Sequence, residues 1–156
     1  MLACSSASFG AGLKTSDQIK DGKPGYGGFE AQVIRIIDAD TLKLRVFLWP
    51  GLEKVENYRS RGVDAPELSS PGCDNEKRLA QQAKASIARK FPVESWVYID
   101  NIGRDKYSGR WVADIYRWSS DRFKTLTAEL LESNGKWGWP YDGTGPRHDW
   151  CTEAAE

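Results

Sequence analysis

The chain has 156 residues, 40% of them hydrophobic and 28% charged, which suits one soluble globular domain with a core of its own. Its 22 Lys and Arg are balanced by 22 Asp and Glu, so the formal net charge is zero and a protein gripping long duplex nucleic acid through a global basic field is excluded. One histidine with no Cys-x-x-Cys argues against zinc, three cysteines are too few for a disulfide framework, and no apolar run reaches the length of a membrane span.

Residues 1–28, rich in Gly, Ser and Lys, read as a flexible leader. The opening Met1-Leu2-Ala3-Cys4 lacks the positive and apolar regions of an export signal, so the compartment is left open. Order is expected from Phe29. Phe29–Ile37 and Leu42–Phe47 alternate like strands, joined by a tight Asp38-Ala39-Asp40 turn. Trp49-Pro50-Gly51 closes the second strand and Val55–Val63 supplies a third. The chain then leaves the sheet at Asp64-Ala65-Pro66-Glu67, because Pro66 donates to no ladder. Asp74 or Asn75 is placed to cap a helix from about Glu76 to Lys90, with Leu79, Ala83, Ile87 and Phe91 on its apolar stripe and Pro92 as its stop.

Trp96–Ile99 and Trp111–Trp118 read as strands four and five, joined by the polar loop Asn101–Arg110. A second helix, about Lys124 to Ser133, buries Leu126, Leu130 and Leu131 and ends at Asn134-Gly135. The tail beyond reads as irregular. Trp118, Trp137, Trp139 and Trp150 crowd the last quarter of the chain; they either pack that tail or line a groove where bases stack. Cys73 and Cys151 pair if the protein is exported, leaving Cys4 over; in a reducing compartment all three stay thiols. The fold class is therefore α+β and mainly β: a five-stranded OB-type Greek-key barrel with two helices, the first plugging one end.

Three segments carry candidate chemistry: Ile36 through Leu42 with its Asp38-Ala39-Asp40-Thr41, Tyr58 through Glu67, and Arg104 through Arg110. Asp40, Asp64 and Glu67 come to the mouths of neighbouring strands, and clustered carboxylates repel unless a cation neutralises them. All-oxygen ligands suit Ca²⁺ or Mg²⁺. Arg59 and Arg110 add guanidinium forks that match phosphate oxygens. A hard cation, a carboxylate to handle water and two arginines make a kit for phosphodiester hydrolysis.

Together, in this order, the segments resemble the staphylococcal nuclease-like (thermonuclease) family over roughly residues 29–136. The resemblance implies a Ca²⁺-dependent, sugar-nonspecific nuclease acting on DNA or RNA and leaving 3′-phosphates. By the same resemblance Asp40, Asp64 and the backbone carbonyl of Ala65 ligate the metal, Arg59 and Arg110 clamp the scissile phosphate, and Glu67 orients or deprotonates the attacking water. Lys106, Tyr107 and Tyr141 are the implied substrate contacts. The sequence departs from the family at Ala39, which stands where the hairpin has glycine, and at Ser108, an extra residue before Gly109. The alternative of another class is a non-catalytic OB module that binds single-stranded nucleic acid or a protein partner; no membrane span and no obligate protein partner are inferred.

Overall fold

In β1 (Phe29–Asp38) and β2 (Thr41–Trp49), Ala31, Val33, Leu42, Leu44 and Val46 are buried, while Lys43 and Arg45 between them stay half-exposed. That two-residue period sends one face of the hairpin into the core. The structure is a computed structural model that describes residues 27–104, 110–120 and 122–152. The leader, save Gly27 and Gly28, lies outside the described residues, as do Lys106, Tyr107 and Ser108.

Strand β3 (Leu52–Ser60) pairs antiparallel with β2, β5 (Trp96–Arg104) with β1, and β6 (Trp111–Ser119) with β5. A parallel pairing of Tyr58, Arg59 and Ser60 with Trp111, Val112 and Ala113 joins β3 to β6 and closes a ring through β1, β2, β3, β6 and β5. The ring encloses Val33, Leu42, Leu44, Ile99, Ala113 and Ile115, all 0% exposed. Helix α1 (Asp74–Lys90) lays Ala83, Ile87 and the following Phe91 onto that core. Among the described residues no helix is long and apolar enough to cross a membrane.

Several boundaries differ from expectation for local reasons. The third strand stops at Ser60 because Gly62 turns the chain at φ +79°, and the next two residues form β4 (Val63–Asp64) in a separate small sheet. Cys73, not Asp74 or Asn75, caps α1, its Sγ accepting from the Glu76 amide at 3.4 Å. Residues 122–125 form an unexpected edge strand, β7 (Arg122–Thr125), beside β6. Thr125 ends it and caps α2 (Leu126–Leu131), its Oγ1 accepting from the Ala128 amide at 3.0 Å. Ala39 costs the hairpin nothing in φ: the described non-glycine residues with positive φ are Glu94, Asn101, Ser120 and Asn134.

The tail is docked, not loose. Its Trp139–Pro140 (β8) pairs antiparallel with β4, and the Tyr141 amide donates to the Gly62 carbonyl at 3.2 Å. Gly138 passes so close to α2 that an added Cβ would lie 2.8 Å from Leu130. Trp150 is 2% exposed, and its carbonyl accepts from Asn75 at 2.9 Å. Cys73 and Cys151 are disulfide-bonded with a Cα–Cα distance of 6.0 Å, tying the tail to the start of α1.

One acidic pair strains the ring. Asp100 and Asp114 stand directly opposite on β5 and β6. Burial raises the Asp114 pKa and the Asp100 charge raises it further, against the pull of Asn101 and Arg61. Between the unfolded and the raised folded pKa the folded chain keeps a proton that the unfolded chain has released. This site's contribution to stability, full below the unfolded pKa, is therefore lost as pH rises through the folded pKa. Asp114→Asn, which keeps the volume and an oxygen for Asn101, is expected to stabilise the fold at pH 7 by roughly 0.5–1 kcal/mol. Urea unfolding should show the gain shrinking on acidification through the carboxylate range; a destabilised variant at neutral pH contradicts it.

Candidate active site

Asp40 sits in the turn between β1 and β2, 3% exposed, its Oδ1 accepting from Thr41 at 2.7 Å. The β2–β3 register sets Thr41 opposite Arg59, and the Ser60 amide donates to the Asp40 carbonyl at 2.7 Å. Arg59 Nη2 thus lies 2.7 Å from Asp40 Oδ2 and 3.3 Å from Asp64 Oδ1, between the two carboxylates. The first contact is an ion pair without hydrogen-bond alignment, so Asp40 Oδ2 is a buried oxygen lacking a hydrogen bond. Burial raises the Asp40 pKa although Arg59 and Thr41 pull it down.

The closing β3–β6 pair does the long-range work. It brings Arg110, at the foot of β6, beside Arg59 from a strand 51 residues earlier. Arg59, Arg110, Arg61, Arg104 and Tyr141 line one cavity of about 430 Å³. Arg104 also lies 4.0 Å over the Trp111 ring, and Arg61 donates to the Asn101 carbonyl at 2.7 Å.

Glu67 follows Pro66 out of β4, and its backbone is fixed from the start of α1. Buried Glu76 accepts from the Glu67 amide at 3.0 Å and from the Gly72 amide at 2.6 Å. The Glu67 charge is felt at Asp40 and at Asp38. Burial raises the Asp38 pKa, Glu67 adds to that, and Lys84, the Leu68 amide and Arg110 oppose it. Asp40, Asp64, Glu67, Arg59 and Arg110 therefore converge on one rim. Ala65 joins them through its carbonyl, while Lys106 and Tyr107 lie outside the described residues.

The tail supplies what the sequence reading missed. Arg147 donates through Nε to Asp64 Oδ1 at 2.6 Å, through Nη1 to Glu67 Oε1 at 2.9 Å and through Nη2 to the Ala65 carbonyl at 3.3 Å. Burial works against its charge, yet Asp64 and Glu67 outweigh that and hold its pKa above the usual guanidinium value. Trp150 Nε1 donates to Asp64 Oδ2 at 3.3 Å. His148 stacks on Trp139 and meets Trp150 edge-on, so the lone histidine packs the tail. Nothing local in Pro146-Arg147-His148 announces this contact; it exists because β8 and the disulfide fix the tail on either side.

The rim offers donors of the kind that a hard divalent ion takes. They are all oxygens, buried Asp40 Oδ2 is ion-paired to Arg59 but carries no hydrogen bond, and a guanidinium already stands as a cation on Asp64 and Ala65. No protein-family model matches the chain, and no curated protein matches it significantly.

Proposed function

We propose that the chain is a Ca²⁺-dependent nuclease of the staphylococcal nuclease-like family, hydrolysing phosphodiester bonds of DNA or RNA on a ring that is an OB-type Greek-key barrel. One observation carries the proposal: Arg59 and Arg110, 51 residues apart in the chain, line a single cavity with Arg147, and Asp40, Asp64 and Glu67 are ion-paired to Arg59 or Arg147 beside it. Arg59 and Arg110 bind the non-bridging oxygens of the scissile phosphate and stabilise the charge that builds in the transition state. Glu67 takes or orients the proton of the attacking water from a loop that Glu76 keeps in place. Bound at Asp40, Asp64 and the Ala65 carbonyl, Ca²⁺ supplies Lewis acidity and neutralises the carboxylates. Tyr141, which lines the same cavity, contacts the sugar or base of the substrate in this reading.

The test is incubation of the purified protein with denatured DNA and with RNA, in Ca²⁺ and then in excess chelator. Both polymers are expected to be cut to 3′-phosphate ends, with cleavage lost on chelation. Activity that survives chelation rejects the metal; Ca²⁺-replete protein that binds both polymers and cuts neither favours the non-catalytic binding module.

A further inference from the structure

We propose that Arg147 is a tethered cation that occupies the carboxylate site, and that a divalent ion must displace its guanidinium to bind. The inference deepens the proposed function and rests on it. Three edges of one planar group engage Asp64, Glu67 and the Ala65 carbonyl at once, a fit that a flexible ammonium lacks. Asp64 is 0% exposed and has no oxygen to spare: Oδ1 takes Arg59 and Arg147, and Oδ2 takes Trp150. An ion that uses Asp64 and the Ala65 carbonyl therefore has to take the place of the guanidinium. With Arg59 already on the same Oδ1, the guanidinium fills the remaining place beside those oxygens, and a third positive charge there would face both arginines at short range.

The contact is built for exchange. The Arg147 side chain is 41% exposed and sits in a segment without regular structure, and it also lines the cavity shared by Arg59 and Arg110. Its head has somewhere to go. Its backbone does not: β8 holds the chain on one side, and buried Trp150 with the Cys73–Cys151 bond holds it on the other. The competitor therefore stays at high effective concentration beside the site. The affinity measured for the ion is the intrinsic affinity multiplied by the fraction of molecules in which Arg147 is out of the site.

Calorimetric titration of CaCl₂ into the full, disulfide-intact chain, with no nucleic acid present, reads this directly. Arg147→Ala is expected to bind Ca²⁺ at least ten-fold more tightly than the wild type, the change that about 1.4 kcal/mol corresponds to. Arg147→Lys, which keeps the charge and loses the fork, should fall between them. Arg147→Gln serves in place of the alanine variant if that one melts below the titration temperature. Equal or weaker binding by the neutral variants overturns the inference; if the wild type still cuts DNA in Ca²⁺, the proposed function stands without it. Absence of Ca²⁺ binding by every variant overturns both this inference and the metal role.

Discussion

Glu67→Ala is expected to lower kcat/KM on single-stranded DNA by about 10²–10⁴-fold, the usual worth of a positioned acid–base group. The fall should lie mainly in kcat, because a group that handles water acts in the transition state more than in substrate binding. Arg110→Ala should cost about 10²–10³-fold, as the loss of one donor to developing charge does. Neither change should unfold the chain. The Glu67 loop is held through its amide by Glu76, a contact that remains when the carboxylate and its bond to Arg147 are removed. Arg110 precedes β6, whose pairing from Trp111 onward uses backbone. Stopped-flow or gel kinetics beside a thermal melt separate the two effects. A Glu67→Ala enzyme within a factor of about three of wild type, against the expected loss, would remove Glu67 from the mechanism.

The second large effect concerns stability. The Cys73–Cys151 bond closes a loop with a sequence separation of 78 residues, taking in α1, β5, β6, β7, α2 and the tail. Loop-closure entropy for that length amounts to about 4 kcal/mol in the chain-entropy account. Cys73→Ser should lower the unfolding free energy by that amount and the melting temperature by roughly 10–15 °C. Wild-type protein unfolded in excess thiol should match the variant. A loss below about 1 kcal/mol would mean that β8, Trp150 and the Asn75 contact hold the tail without the bond and leave little for loop closure to add.

The sequence was most legible where the physics is local. Alternation around Val33, Leu44 and Ile115 marks strands, and the spacing of Leu79, Ala83 and Ile87 marks α1. It was least legible where one residue changes the chain's direction, or where distant segments pair. Gly62 ends β3 early, and Thr125 splits an expected helix into β7 and α2. The acidic and basic residues at the rim were visible as types. Their meeting depends on the Arg59–Val112 pairing, which no short window contains. Arg147 and Glu76 were not legible at all. Each looks like an ordinary surface charge in the sequence, and only the disulfide, β8 and the turn after Glu67 bring them to the site.

Both cysteines looked equally able to stay free, because pairing depends on compartment as well as distance. The structure bonds them. Of the tail tryptophans, Trp150 is packed and bonded to Asp64, Trp137 rests partly buried against the core, and Trp139 stays 45% exposed. Packing and an exposed aromatic face thus coexist in one short segment, which composition does not apportion.

The most direct measurement is a crystal structure of the protein soaked with CaCl₂ and a nucleoside 3′,5′-bisphosphate. The account predicts an ion ligated by Asp40, Asp64 and the Ala65 carbonyl, one phosphate between Arg59 and Arg110, and the Arg147 head moved off Asp64. A bisphosphate bound away from both arginines, or no ion on those oxygens at saturating Ca²⁺, would contradict it.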